Sequence, residues 1–104
     1  MNTTTIPAIS HRDLRLLIDG EWLTAAGRRT QPLVNPATGE VLGQVPLASA
    51  EDLDRAVAAT VRAWPAWRAL QPVLRARILR RASDLIRSRS EEIARLATTE
   101  QGKP

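Results

Sequence analysis

The sequence predicts an α/β fragment: two N-terminal antiparallel strand pairs followed by three amphipathic helices. Three observations carry that expectation. Two pairs of short apolar runs are each folded back by a turn signal, Asp19-Gly20 in the first and Pro36-Ala37-Thr38-Gly39 in the second. From Ser49 onward the apolar spacing switches from strand-like to helical. The strands then leave open edges and the helices wide apolar faces, yet the chain holds no complete sheet to receive them.

Met1 to Ser10 lacks the positive-then-apolar order of a secretory signal, and Pro7 and the lack of an Arg-rich amphipathic stretch argue against a transit peptide. Residues 1–13 are therefore expected to be a disordered leader in a cytoplasmic protein. The ordered unit is expected over 14–104.

Leu16-Leu17-Ile18 forms the first strand and Glu21-Trp22-Leu23 its return. Asp19-Gly20 between them suits a type I′ turn, in which both central residues need φ > 0. Thr24 to Arg29 is a loop around Gly27. A second unit follows, with Gln31 to Asn35 leading into the Pro36 turn and Val41 to Val45 leading out. Pro36 presets φ for a turn and Gly39 supplies its permissive position. Pro46, which cannot donate to a ladder, ends the last strand.

Ser49 is the expected N-cap of the first helix, with Glu51 and Asp52 at the positive end of its dipole. Leu53, Ala56, Val57, Thr60, Val61 and Trp64 make one continuous stripe, and Glu51 and Arg55 are spaced as an i, i+4 pair. Pro65 is expected to end this helix, leaving a linker from Pro65 to Gln71 that contains Trp67. Pro72 can open the second helix at its first position. Its Leu74, Ile78, Leu79, Ala82, Leu85 and Ile86 span an arc of about 140°. Arg77, Arg80, Arg81, Asp84 and Arg87 occupy the opposite arc, while Arg75 falls within the apolar one. Ser88 or Ser90 is the expected cap of a third helix, with Ile93, Leu96 and Ala97 on its buried side. Gly102 and Pro104 supply its stop.

The composition excludes several functions. The 104 residues are 43% hydrophobic and 25% charged, and no apolar run reaches the length of a membrane span. With no cysteine there is no disulfide, thiolate metal site or thiol nucleophile; the single histidine, His11, excludes multi-His metal centres, and its place in the polar N-terminal stretch argues against a His-based triad. The net charge is +4, and Lys103 is the one basic residue that is not arginine. The five glycines never approach phosphate-loop spacing. The carboxylate groups Glu51/Asp52/Asp54 and Glu91/Glu92 sit in or beside first helical turns, where the dipole accounts for them. Ser49, Ser83 and Ser88 have no base to activate them. Trp22, Trp64 and Trp67 adjoin turns or helix ends beside apolar neighbours and are expected to pack rather than stack on bases. No catalytic, cofactor-binding or metal-binding residue is therefore expected in this chain.

Taken together, the motifs resemble those of the NAD(P)-dependent aldehyde dehydrogenases. Leu17-Ile18-Asp19-Gly20-Glu21-Trp22 is similar to that family's Ile-Asn-Gly-Glu-Trp start, and Asn35-Pro36-Ala37-Thr38-Gly39-Glu40-Val41 to its Asn-Pro-Ala-Thr-Gly-Glu turn. The Gly-x-Val-Pro strand at Gly43 to Pro46 and the helix from Ala50 to Val57 follow in family order. Trp64 to Leu70, Arg75 to Arg80, and Glu100-Gln101-Gly102-Lys103-Pro104 continue the likeness. Gln101, with Pro65-Ala66-Trp67-Arg68-Ala69-Leu70, resembles the succinate-semialdehyde dehydrogenase branch.

The resemblance implies that residues 14–104 are the N-terminal part of a dinucleotide-binding domain in a longer oxidoreductase. It implies NAD or NADP as cofactor and oxidation of a short semialdehyde to the carboxylate by a Cys nucleophile with a Glu base. Those residues fall beyond the Gly-Lys-Pro segment in the family, so the segment alone is expected to be inactive and to bind neither cofactor. The implied partners are the rest of the same chain or a full-length homologue, the aldehyde substrate, and further subunits of a homo-oligomer, with no membrane. Two other functions remain open from the residues. One is a truncated, non-catalytic paralogue acting as an interaction module through strand edges and faces such as that of Leu79 and Leu85. The other is a basic nucleic-acid binder using Arg77, Arg80, Arg81 and Arg87.

Overall fold

Asp19 lies at φ 53° and Gly20 at φ 73°, the left-handed pair that a type I′ turn demands. They fold β1 (Leu16–Ile18) back on β2 (Glu21–Leu23), with Leu17 opposite Trp22. The computed structural model describes Ser10, His11 and residues 13–104, so most of the expected leader lies outside the described residues.

The second pair is β3 (Thr30–Val34) and β4 (Val41–Pro46), and its turn is held from within. The Asn35 side chain accepts from Ala37 N–H at 2.9 Å, and the Asn35 carbonyl accepts from Gly39 N–H at 2.8 Å. Gly39 sits at φ 75°, which favours glycine there. Leu33 faces Gly43 while Val34 faces Val41, so Leu42 is the extra residue of a bulge. Pro46 pairs with Thr30 as the last residue of its strand. Each pair is a separate two-stranded sheet among the described residues.

Three helices follow: α1 (Ala50–Ala69), α2 (Pro72–Ser88) and α3 (Ser90–Gln101). The element order is the one the sequence predicts, but three local expectations are corrected. First, α1 runs through Pro65 instead of ending there. A proline removes one N–H and crowds the carbonyl four residues back; the rest of the ladder survives, and Ala66, Arg68 and Ala69 are good helix formers. The break comes at Leu70 and Gln71, at ψ 140° and 142°, the second restricted by Pro72. The expected linker from Pro65 to Gln71 thus shrinks to Leu70 and Gln71, and Trp67 belongs to α1.

Second, neither Ser88 nor Ser90 caps α3; Arg89, at φ −110° and ψ 16°, stands at its N-cap. An N-cap side chain works from extended backbone. With one residue between the helices, Ser88 still belongs to α2 and donates its hydroxyl to the Leu85 carbonyl at 2.8 Å. Third, Arg55 bonds Glu21 on β2 and not Glu51. The helix closes as expected, with Gly102 at φ 71° donating its N–H to the Thr98 carbonyl at 2.8 Å.

Among the described residues only Ile18, Pro46 and Asp52 are buried. Ile18 lies where β1 meets α1. The Cα radius of gyration is 16.7 Å, against about 13 Å for a self-contained domain of this length. The accessible surface is 8638 Å², against about 5,800 Å² for a folded monomer of this mass. Part of that excess is apolar, because Leu53, Val57, Val61, Ile78, Leu79 and Ile86 are exposed. No helix among the described residues is long and apolar enough to cross a membrane.

Candidate functional site

The most developed polar cluster joins the Gly27 loop to the first turn of α1. Ser49 is the N-cap, and its hydroxyl accepts from Asp52 N–H at 3.1 Å. Asp52 Oδ2 accepts in return from Ser49 N–H at 2.8 Å and from the Ser49 hydroxyl at 2.9 Å. This is a reciprocal capping box with Asp in the usual Glu position. Arg28 then donates to both carboxylate oxygens, Nη1 to Oδ2 and Nη2 to Oδ1, the second at 3.2 Å. The Arg28 guanidinium foremost, then the Ser49 amide and hydroxyl, holds the Asp52 carboxyl far below the ordinary carboxylate range.

This carboxylate does more than complement a dipole. The signal was present in the sequence as Ser49-x-x-Asp52, but no local pattern named Arg28 as its partner. The hollow lined by Gly27, Arg28, Leu47 and Ser49 surrounds a pair whose charges are already engaged with each other. It is a structural lock.

The other candidates do not converge. Glu51 and Asp54 are exposed on α1, while Glu92 pairs with Arg89 at 3.1 Å in the first turn of α3. Ser49 and Ser88 are engaged as described, and Ser83 is half-buried within α2. His11 meets Glu100 at 3.0 Å, linking the start of the described chain to the end of α3. Among the described residues no group of three His, Asp or Glu side chains is placed to hold a metal ion.

Arg77, Arg80, Arg81 and Arg87 all lie exposed on α2. The tryptophans depart from their expected packing role. Trp22 and Trp64 are exposed and Trp67 is half-buried, because the described residues cover the first two only in part.

The fold instead presents surfaces. Two exposed ion pairs, Arg55 to Glu21 and Arg62 to Asp19, the latter at 2.7 Å, bind the first hairpin to α1. That contact uses one side of α1 and leaves its apolar stripe open, and the apolar arc of α2 is open as well. The positive-φ glycines Gly20, Gly27, Gly39 and Gly102 stand singly in separate turns. They form no cradle of successive amides for a pyrophosphate. The chemistry this arrangement offers is docking.

Comparison with known proteins gives that architecture a context. The profile of the aldehyde dehydrogenase family matches residues 22–104. A glutarate-semialdehyde dehydrogenase of Pseudomonas putida is 48% identical over 87 residues, covering 84% of this chain and 18% of the relative. The crystal structure of succinate-semialdehyde dehydrogenase from Burkholderia pseudomallei superposes with a TM-score of 0.81 at 40% identity, over 99% of this chain and 21% of that one. A protein assigned as a methylmalonate-semialdehyde dehydrogenase from Sinorhizobium meliloti, solved with NAD, gives 0.77 at 34% identity, over 90% and 19%. The chain thus spans about a fifth of the length of these relatives.

Proposed function

The chain belongs to the aldehyde dehydrogenase family, and on that premise we propose that it is the N-terminal segment of an NAD(P)-dependent enzyme oxidising a short semialdehyde, with succinate semialdehyde the first choice. In that reaction the aldehyde, water and the oxidised nicotinamide become the carboxylate, the reduced nicotinamide and two protons. The observation that carries the proposal is the ordered set of family-like motifs from Leu17 to Pro104, together with 48% and 40% identity to relatives named for glutarate and succinate semialdehydes.

Among the described residues the turn glycines are scattered and the Arg28–Asp52 cluster is closed on itself, which supports placing the dinucleotide site elsewhere in a family chain. The nucleophile, the base and the cofactor contacts are therefore assigned to the remaining four-fifths of a family chain. Cytoplasmic location and homo-oligomeric assembly are part of the same proposal.

The test is direct. The purified 104-residue chain is incubated with succinate or glutarate semialdehyde and either nicotinamide, and reduced nicotinamide is followed by absorbance. No turnover is expected. A chimera in which this chain replaces the matching segment of the Burkholderia enzyme is expected to oxidise succinate semialdehyde. Turnover by the isolated chain, or an inert but folded chimera, would overturn the proposal.

The open faces of α1 and α2 also favour a second reading, a non-catalytic module that binds a full-length homologue in trans. Co-purification with such a homologue, lost when Leu79 and Leu85 become Asp, would favour it.

A further inference from the structure

All of the apolar stripe of α1 except Ala56 faces away from the hairpin and the Gly27 loop, which the described residues pack against that helix. Asp52, Arg55 and Arg62 hold the Gly27 loop and the first hairpin from one side, which they share with the half-buried Ala56 and Ala59. Leu53, Val57, Val61 and Trp64 lie roughly 150° around the helix from that side. They are 63, 56, 67 and 55% exposed. Along about 16 Å of axis they form one line whose polar member is Thr60, with no charged residue among them. Scattered surface hydrophobics are ordinary, but an aligned, uncharged set of this size marks a surface that is normally covered.

We infer that α1 is a middle layer, clamped by the hairpin on one side and covered on the other by an uncharged apolar face of the remainder of an aldehyde dehydrogenase chain. The inference rests on the family reading given above. The same arrangement of strands and helices recurs inside chains about five times as long, which supply the material a lone segment lacks. The stripe's own chemistry selects that occupant over polyanions. A lipid headgroup layer or a nucleic acid would be met by positive charge, and Arg77, Arg80, Arg81 and Arg87 stand on α2, not on this stripe.

The absence of cysteine from the chain makes the test clean. Single Val57→Cys, Val61→Cys and Arg81→Cys variants are made in the isolated chain and in the chimera with the Burkholderia enzyme. Maleimide labelling at each introduced position is read by peptide mass. Labelling at 57 and 61 is expected to be fast in the isolated chain and to slow on the order of tenfold or more in the chimera, because burial blocks thiol access. Arg81→Cys is expected to label alike in both.

Equal labelling at 57 in the two settings would overturn the inference. So would protection at 57 in the isolated chain that grows with concentration, since that would assign the stripe to a second copy. Protection in a folded but inactive chimera would sink the catalytic reading and leave the docking surface standing.

Discussion

Arg28 grips both carboxylate oxygens of Asp52, joining a surface loop to the first turn of α1 across 24 positions of sequence. The pair sits on top of a capping box that already binds Asp52 to Ser49. One carboxylate therefore closes the helix start and fixes the loop that precedes β3.

The lock is acid-labile. A carboxyl whose folded pKa lies below its unfolded value of about 3.9 contributes stability that is complete above that value. The contribution is lost as pH falls through the folded value. Urea midpoints of the chain are therefore expected to show no dependence on this group from about pH 7 to 5, and to fall below about pH 4. Asp52→Asn is expected to lower the neutral-pH midpoint and flatten the acid limb. Parallel acid profiles for the two proteins would reject the assignment.

Ser49→Ala removes the acceptor for Asp52 N–H and one donor to Asp52 Oδ2. The expected cost is about 1 kcal/mol, measured by chemical denaturation, and Ser49→Thr is expected to retain most of the stability.

Pro65 interrupts the ladder of α1 without ending the helix. Pro65→Ala restores one N–H donor, against a smaller gain in unfolded-chain entropy. A net stabilisation of about 2 kcal/mol is expected, with more helical circular dichroism. An unchanged or lower midpoint would show that the Pro65 ring makes contacts that offset the lost donor.

Gly20 has open space where a Cβ would stand, yet its φ is 73°. Gly20→Ala is thus a test of backbone strain alone, with an expected loss of about 1–2 kcal/mol. Asn at the same position, which tolerates this region better, is expected to lose less.

The Arg55–Glu21 and Arg62–Asp19 pairs are both well exposed. Double-mutant cycles are expected to give coupling below about 1 kcal/mol for each, shrinking further as salt is added. Larger, salt-insensitive values would mean that the hairpin is held on α1 mainly by charge.

Local chemistry made much of the fold legible. Asp19-Gly20, Pro36 to Gly39, Ser49, Pro72 and Gly102 each act within a few residues of themselves, so their backbone consequences could be stated from spacing alone. The candidate site was less legible. Ser49-x-x-Asp52 is visible as a cap, but Arg28 comes from a loop whose position depends on how β3 and β4 pair.

By itself, the sequence determined the order of elements, the two reversals and the family motifs, all properties of neighbouring residues, and the absence of cysteine. Tertiary structure alone decided that Arg55 bonds Glu21 in preference to Glu51, and that α1 crosses Pro65. It also decided that the hairpin takes the alanine side of α1 and leaves Leu53, Val57, Val61 and Trp64 open. Periodicity shows that a helix has an apolar face; which surface covers that face is settled by the parts that compete for it.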